Sequence, residues 1–161
     1  MTPNITNIRE PSLAAVRGGA SGISAINTIL SVIGVNLDTL RPMPTVEGCT
    51  VPGGYSAQAV KPIALRMVSQ LGLGLPEGIA ISGIGGIECS HDAIEFMLLG
   101  ASTVQICTGV MLQGVKMVDE LKEGLARFMT DKGFNSVQEI VGKSLPCFST
   151  HMDLVKMMKE A

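Results

Sequence analysis

Two short runs carry most of the chemistry this sequence can do: Ile79-Ala80-Ile81-Ser82-Gly83-Ile84-Gly85-Gly86-Ile87 and Gly100-Ala101-Ser102-Thr103-Val104-Gln105-Ile106-Cys107-Thr108-Gly109. In each, an apolar stretch the length of a buried parallel strand breaks at small residues and leads into a helix-like segment. Two such loops lying side by side expose backbone N–H groups, and glycine lets an anion approach them closely, so the chemistry to expect is phosphate binding. The plainer alternative is a pair of ordinary strand-to-helix turns. Two further loops join these as candidates: Asn27-Thr28, which ends an apolar run, and Gly53-Gly54-Tyr55-Ser56-Ala57, a backbone-exposed turn before a helix.

The elements that must position these loops alternate along the chain. Residues 1–4 read as the end of a strand, because Thr2-Pro3-Asn4 is a strand-end turn. A helix follows over residues 8–16, with Pro11 tolerable only in its first turn and Gly18-Gly19 closing it. Residues 22–27 form a strand, and residues 29–55 lack clean periodicity, which suits a lid or a site wall. The pattern then predicts a helix over 59–71, a strand over 79–84, a helix over 90–99 with Ala93, Ile94, Phe96 and Met97 on its apolar face, and a strand over 103–106. A long helix from about 113 to 130, a short one at 136–141 and a charged tail at 149–161 complete the chain.

This order implies an α/β fold with parallel strands, right-handed crossovers and every candidate loop at the same end of the sheet. That is the arrangement of a (β/α)₈ barrel, in which the loops after the last two strands often bind phosphate. A complete barrel needs about 250 residues. With 161 residues the chain corresponds to a C-terminal half, residues 1–148, followed by the tail. Half a barrel leaves strand edges and inward-facing side chains uncovered, so an apolar seam and self-association are expected.

Composition removes other classes. The net charge is −2, and no Lys/Arg-rich run offers a footprint for nucleic acid. One Tyr, four Phe and no Trp make no stacking platform for single strands. No stretch of 18 apolar residues could span a bilayer and the N-terminus lacks signal-peptide features, so a cytosolic location is expected. Cys49, Cys89, Cys107 and Cys147 show no metal-ligand spacing, and free thiols suit a reducing compartment. Cys89 and Cys147 read as small buried hydrophobes, while Cys107 sits where chemistry is near. Lys61, at a helix start, reads as a solvated or helix-face lysine, and His91 as a surface or capping residue.

Thr-Pro-Asn-Ile-Thr-Asn-Ile at 2–8, Ser-Ala-Ile-Asn-Thr-Ile at 24–29, Pro-Thr-Val-Glu-Gly at 44–48, Pro-Gly-Gly-Tyr-Ser at 52–56, Val-Lys-Pro-Ile-Ala-Leu-Arg at 60–66, Ser-Gly-Ile-Gly-Gly-Ile-Glu at 82–88 and Gly-Ala-Ser-Thr-Val-Gln-Ile-Cys-Thr at 100–108 together resemble the FMN barrel of the dihydropyrimidine dehydrogenase family. The dihydroorotate dehydrogenases share this skeleton. The resemblance implies an FMN-dependent oxidoreductase that reduces the C5=C6 bond of uracil or thymine in pyrimidine catabolism. The alternatives are a dihydroorotate dehydrogenase-type oxidoreductase or a non-catalytic truncated half-barrel.

Carried onto this sequence, the resemblance implies that Gly85, Gly86, Cys107 and Thr108 hold the FMN phosphate, with Gly54, Ser56 and Ala57 also in the cofactor site. Asn27 and Thr28 are implied to touch the pyrimidine, whose alternating C=O and N–H edge matches an Asn amide. The family's flavin-contacting lysine and catalytic cysteine acid would lie upstream of this sequence, which implies no catalytic residue within it. The resemblance also implies a missing N-terminal half-barrel, an oligomer, and NAD(P)H entering through an NAD(P)H/FAD-binding partner subunit or domain. Iron–sulfur clusters are implied only outside this chain. One departure stands out: Ala57 occupies a position where the family usually has Gly, and a backbone at φ > 0 there disfavours alanine.

Overall fold

Ile23 and Ala25 alternate with Gly22 and Ser24 in strand β1 (Gly22–Ala25), as Ile81 and Gly83 alternate with Ala80 and Ser82 further along the chain; the first set is buried and the second is exposed or half-buried. This period of two is what a sheet covered on one face requires. In the computed structural model, which describes residues 1–160, helix α1 (Arg9–Arg17) precedes β1 and carries Pro11 in its first turn. Four three-residue strands follow, β2 (Ile29–Ser31), β3 (Gly34–Asn36), β4 (Arg41–Met43) and β5 (Gly53–Tyr55). Next come α2 (Lys61–Gly72), β6 (Ala80–Ile84), α3 (Ser90–Leu98) and β7 (Thr103–Gln105). The chain ends in α4 (Thr108–Gln113), α5 (Met117–Lys132) and α6 (His151–Glu160).

Strands β1, β6 and β7 form one parallel sheet in that order. Met1 extends it: its amino group donates to the Ser24 carbonyl, and its carbonyl accepts from the Asn27 amide at 2.8 Å. The expected strand end therefore lies beside β1. The sheet is α/β and does not close into a barrel among the described residues. Helices cover its outer face, where Ile8, Ile23, Ala25, Met67, Val68, Leu71, Ile81 and Phe96 make the core. Phe96 is fully buried, and Gly83 makes room for it, since a Cβ there would lie 2.5 Å from the Phe96 ring. Emptying such a site (Phe→Ala) costs about 3–5 kcal/mol. No helix among the described residues is long and apolar enough to cross a membrane.

Several expectations need correction. Residues 29–55 are not an irregular connection: β2 pairs with β5 and β3 with β4, both antiparallel, so the segment is a short-stranded β-arm. The helix expected from about 113 to 130 is α5, which begins only at Met117, and a separate short helix, α4, precedes it across the turn at Gly114 (φ +76°). Residues 136–141 supply only a 3₁₀ turn, Val137–Glu139. Cys89 and Cys147 are exposed rather than buried. The open face of the sheet is not an apolar seam either. It carries Ser24, Ser82, Thr103 and Gln105, with the Gln105 amide nitrogen donating to Ser24 Oγ (2.9 Å) and Ser82 Oγ (2.8 Å), and Thr103 Oγ1 donating to Ser82 Oγ (2.9 Å).

Candidate functional site

Because the three strands are parallel, their C-terminal ends share one edge, and a cavity of about 290 Å³ opens there. Asn27 and Thr28 reach it from the end of β1, Ser56 and Ala57 from the turn before α2, Gly85 and Gly86 from the end of β6, and Cys107 and Thr108 from the end of β7. Loops separated by 81 positions in sequence thus meet at one place. Gly54 does not line the cavity. It lies behind Thr28, where a Cβ would run into the Thr28 hydroxyl, so its small size keeps β5 against the Asn27-Thr28 loop.

The glycine pair is sterically obligatory. Gly86 has φ +78°, and a Cβ on it would lie 2.8 Å from the Ala57 carbonyl oxygen and 2.9 Å from Lys61 Cβ. Gly85 has φ +136°, with the Ala64 methyl 2.8 Å from where its own Cβ would stand. Gly109 is equally enclosed, 2.7 Å from the Ile87 carbonyl oxygen by the same measure. Among the described residues, no carbonyl accepts from the backbone amides of Gly86, Cys107 or Thr108. Ser56 Oγ and Thr108 Oγ1 stand 3.4 Å apart across the cavity mouth. Unpaired N–H donors with hydroxyls close by are the donor set that a phosphate monoester needs. The residues present therefore fit the phosphate of a nucleotide such as FMN.

Ala57 stands at the positive φ considered for it above. Its backbone sits at φ +68°, ψ −163°, a region populated almost only by glycine. Its carbonyl receives the Val60 amide at 3.2 Å and closes over Gly86, so the loop is held in that conformation from both sides.

The Asn27-Thr28 loop is braced from the N-terminus. Asn4 accepts the Leu30 amide at 3.0 Å and donates to the Thr28 carbonyl at 3.3 Å. Asn27 Oδ1 accepts the Thr28 amide at 2.8 Å, which fixes the plane of the Asn27 side chain while its amide nitrogen has no acceptor among the described residues. The Asn27 amide therefore offers donors more readily than an acceptor.

Lys61 is not solvated, contrary to the sequence expectation. Its ammonium pairs with Asp92 Oδ1 and, at 2.9 Å, with Glu95 Oε2, linking the start of α2 to α3. Hydrogen bonds to Asp92 and Glu95 hold the Lys61 ammonium well above the usual lysine range, against the opposing effect of burial. Burial pushes the Asp92 carboxyl up, but hydrogen bonds from Lys61 and from Glu88 and Cys89 outweigh it and leave the group below its ordinary value. His91 is exposed in the first turn of α3, as expected.

Tyr55, Glu88, Gln105 and Gly109 also line the cavity and were not singled out by the sequence. The alternation Thr103-Val104-Gln105 holds the signal for Gln105, since period two turns it to the same side as Thr103. Gly109 follows two loop residues already in the site.

Comparison with known proteins identifies the family. The dihydroorotate dehydrogenase profile matches residues 1–129. The chain belongs to the dihydroorotate dehydrogenase family. It is 50% identical over 165 residues to the dihydropyrimidine dehydrogenase (NADP(+)), chloroplastic, of Arabidopsis thaliana, covering 100% of this chain and 39% of that protein. It is 50% identical over 144 residues to the NAD-dependent dihydropyrimidine dehydrogenase subunit PreA of Escherichia coli K12, covering 88% of this chain and 35% of that protein. Against the dihydroorotate dehydrogenase B (NAD(+)) catalytic subunit of Pyrococcus abyssi the identity is 45% over 145 residues, covering 90% and 46%. The chain thus spans less than half the length of these dihydroorotate dehydrogenase-family relatives, and its parallel sheet is part of the family's barrel. All three relatives are dehydrogenases by name.

Proposed function

We infer that this chain forms the cofactor-phosphate and substrate side of an FMN-dependent dihydropyrimidine dehydrogenase, which reduces the C5=C6 bond of uracil or thymine in pyrimidine catabolism. The observation that carries the reading is the convergence of Gly86, Cys107 and Thr108, with free backbone amides, on a cavity that also receives Asn27 and Thr28. Two relatives named dihydropyrimidine dehydrogenase, each 50% identical, support the pyrimidine branch over dihydroorotate oxidation.

In this reading Gly85, Gly86, Cys107 and Thr108 hold the FMN phosphate, and Ser56 and Ala57 close the loop over it. When bound, FMN supplies the hydride-transfer chemistry. Asn27, held in one plane by its bond to the Thr28 amide, donates from its side-chain nitrogen to a carbonyl of the base. Thr28, braced by Asn4, fixes the adjacent wall. The proton donor, a cysteine acid, comes from the half-barrel that completes the site, and electrons from NAD(P)H arrive through a partner subunit or domain. The NAD(P)-dependent and subunit names of the relatives support that division of labour. Four free thiols support a reducing compartment such as the cytosol.

The test is to purify the full-length protein that contains this chain, record its flavin spectrum and assay uracil reduction beside dihydroorotate oxidation. A flavin-loaded enzyme turning over uracil is the expected result. Turnover of dihydroorotate alone would move the protein to the other branch, and a protein that binds no flavin would leave a non-catalytic barrel.

A further inference from the structure

Behind the glycine loop lies a cluster centred on Asp92 and Lys61, neither of which lines the cavity, that the site description leaves without a role. Asp92 is 3% exposed, and both of its oxygens are used. Oδ1 takes the Lys61 ammonium, while Oδ2 accepts the Glu88 amide at 2.8 Å and the Cys89 amide at 3.0 Å, with Cys89 Sγ at 3.4 Å. Glu88 and Cys89 directly follow the loop that carries Gly85 and Gly86. Lys61 comes from the other side: its Cβ is one of the atoms that close over Gly86, next to the Ala57 carbonyl. One carboxylate therefore ties the segment downstream of the glycines to the helix that forms the roof over them.

A helix cap alone needs only part of this. A third-position acid commonly reaches back to its own cap amide. Here the second oxygen is turned across to a lysine of the preceding helix, 31 residues earlier, so that a buried carboxylate meets a partly exposed ammonium. Such a charge-assisted bond is shorter and stronger than a neutral one and holds its partners closely.

We propose that Lys61 and Asp92 are positioning residues for the phosphate loop: their ion pair clamps Gly85–Gly86 between α2 and α3 and fixes the direction of the free amides, without itself touching the ligand. The role rests on the flavin reading above. Glu95 is the dispensable member, because it is half-exposed and makes no bond to the loop. The clamp predicts a selective effect. Loosening the loop weakens a phosphate-bearing flavin and spares the same flavin without phosphate.

The experiment uses the full-length protein and measures dissociation constants for FMN and riboflavin by flavin fluorescence, together with amide hydrogen exchange of residues 84–90. In Asp92→Asn and Lys61→Met, FMN affinity is expected to fall about tenfold, the loss typical of one hydrogen bond to a charged group, while riboflavin affinity changes less than about twofold. Exchange at residues 84–90 speeds up while β1 keeps its protection. Lys61→Arg, which keeps the charge, restores FMN affinity, and Glu95→Gln leaves it unchanged. Equal weakening of both flavins, unchanged exchange, or a Glu95→Gln effect as large as that of Asp92→Asn would each overturn the clamp. Should Asp92→Asn fail to fold, the contrast between Lys61→Met and Lys61→Arg decides the matter alone. Wild-type protein that binds neither flavin would sink the flavin reading, while the exchange data would still decide whether the pair holds the loop.

Discussion

The glycine-loop end of the sheet and the β-arm of residues 29–55 flank the same cavity and are built on opposite principles. At the loops, small residues are forced by neighbours on several sides, and an ion pair stitches two helices across them. In the arm, the short strands and above all the turns between them expose Leu30, Ile33, Leu37, Leu40, Val46 and Val51, each at least 65% accessible. The loops satisfy their geometry inside this chain. The arm presents apolar side chains that no other described residue covers. The open face of the sheet, which half a barrel should leave apolar, is instead a hydrogen-bonded polar layer. Exposed apolar surface therefore lies in the arm, along α4 and its turn into α5, and on α6, and is spared on the open face of the sheet.

The largest expected effect lies at the loop end. Gly86→Val places a side chain at φ +78° against the Ala57 carbonyl and Lys61, in the space the phosphate must reach through. In the full-length protein it should abolish flavin retention, read as loss of the yellow chromophore after gel filtration. Retention at full occupancy would mean that the phosphate lies elsewhere.

Next comes the substrate-side loop. Asn27→Ala removes a positioned donor facing a buried base, a loss of about 1–3 kcal/mol for a partner left unpaired. The expected outcome is a fall in kcat/KM for uracil of at least about tenfold with flavin content unchanged. Asn27→Asp separates the donor from the acceptor, since a carboxylate keeps only acceptors and repels a carbonyl. Unchanged turnover in both variants would reduce Asn27 to a strand-end turn residue, whose bond to the Thr28 amide is then its whole role.

Ala57 gives a smaller effect of opposite sign. Its positive φ lies in a region where a methyl group is strained by about 1–3 kcal/mol. Ala57→Gly should raise the unfolding free energy by up to about 1 kcal/mol, the strain relief being offset in part by the greater entropy of glycine in the unfolded chain. Thermal melting of the full-length protein in the absence of flavin measures this. A loss of stability instead would show that the Ala57 methyl contributes packing that outweighs the strain.

These differences also explain what the sequence could disclose. The strands β1, β6 and β7 and the helices α1, α2 and α3 were legible because period two, period 3.6 and glycine punctuation all agreed there. The convergence of Asn27, Gly86 and Cys107 followed from parallel strands, with the resemblance supplying their roles. The arm was illegible because strands as short as Gly34–Asn36 carry no periodicity, and their pairing is set by partners across a turn. Val110-Met111-Leu112 belongs to α4, a six-residue helix too short to show a 3.6 period, and Gly114 at positive φ separates it from α5. Cys89 was misread because a thiol resembles a small hydrophobe, yet it caps α3 at the surface. Lys61 was misread because its partner stands at the start of another helix, a relation that periodicity along one element does not reveal.

The smallest effect on stability, and the sharpest test of the comparison, belongs to the arm. Ile33 and Leu37 are 81% and 82% exposed, so replacing both with Ser removes almost no burial within the chain. Surface changes of this kind shift unfolding by about 0.5 kcal/mol or less. If the arm is the apolar surface that drives association, the double variant of this chain should scatter less light at matched concentration while melting at nearly the same temperature. A large drop in melting temperature would mean that the arm packs on the body of the protein. Unchanged scattering would shift the sticky surface away from the arm, to the exposed Met111, Leu112 and Met158 of α4 and α6 or to the open edge at β7, all of which the serine substitutions leave untouched.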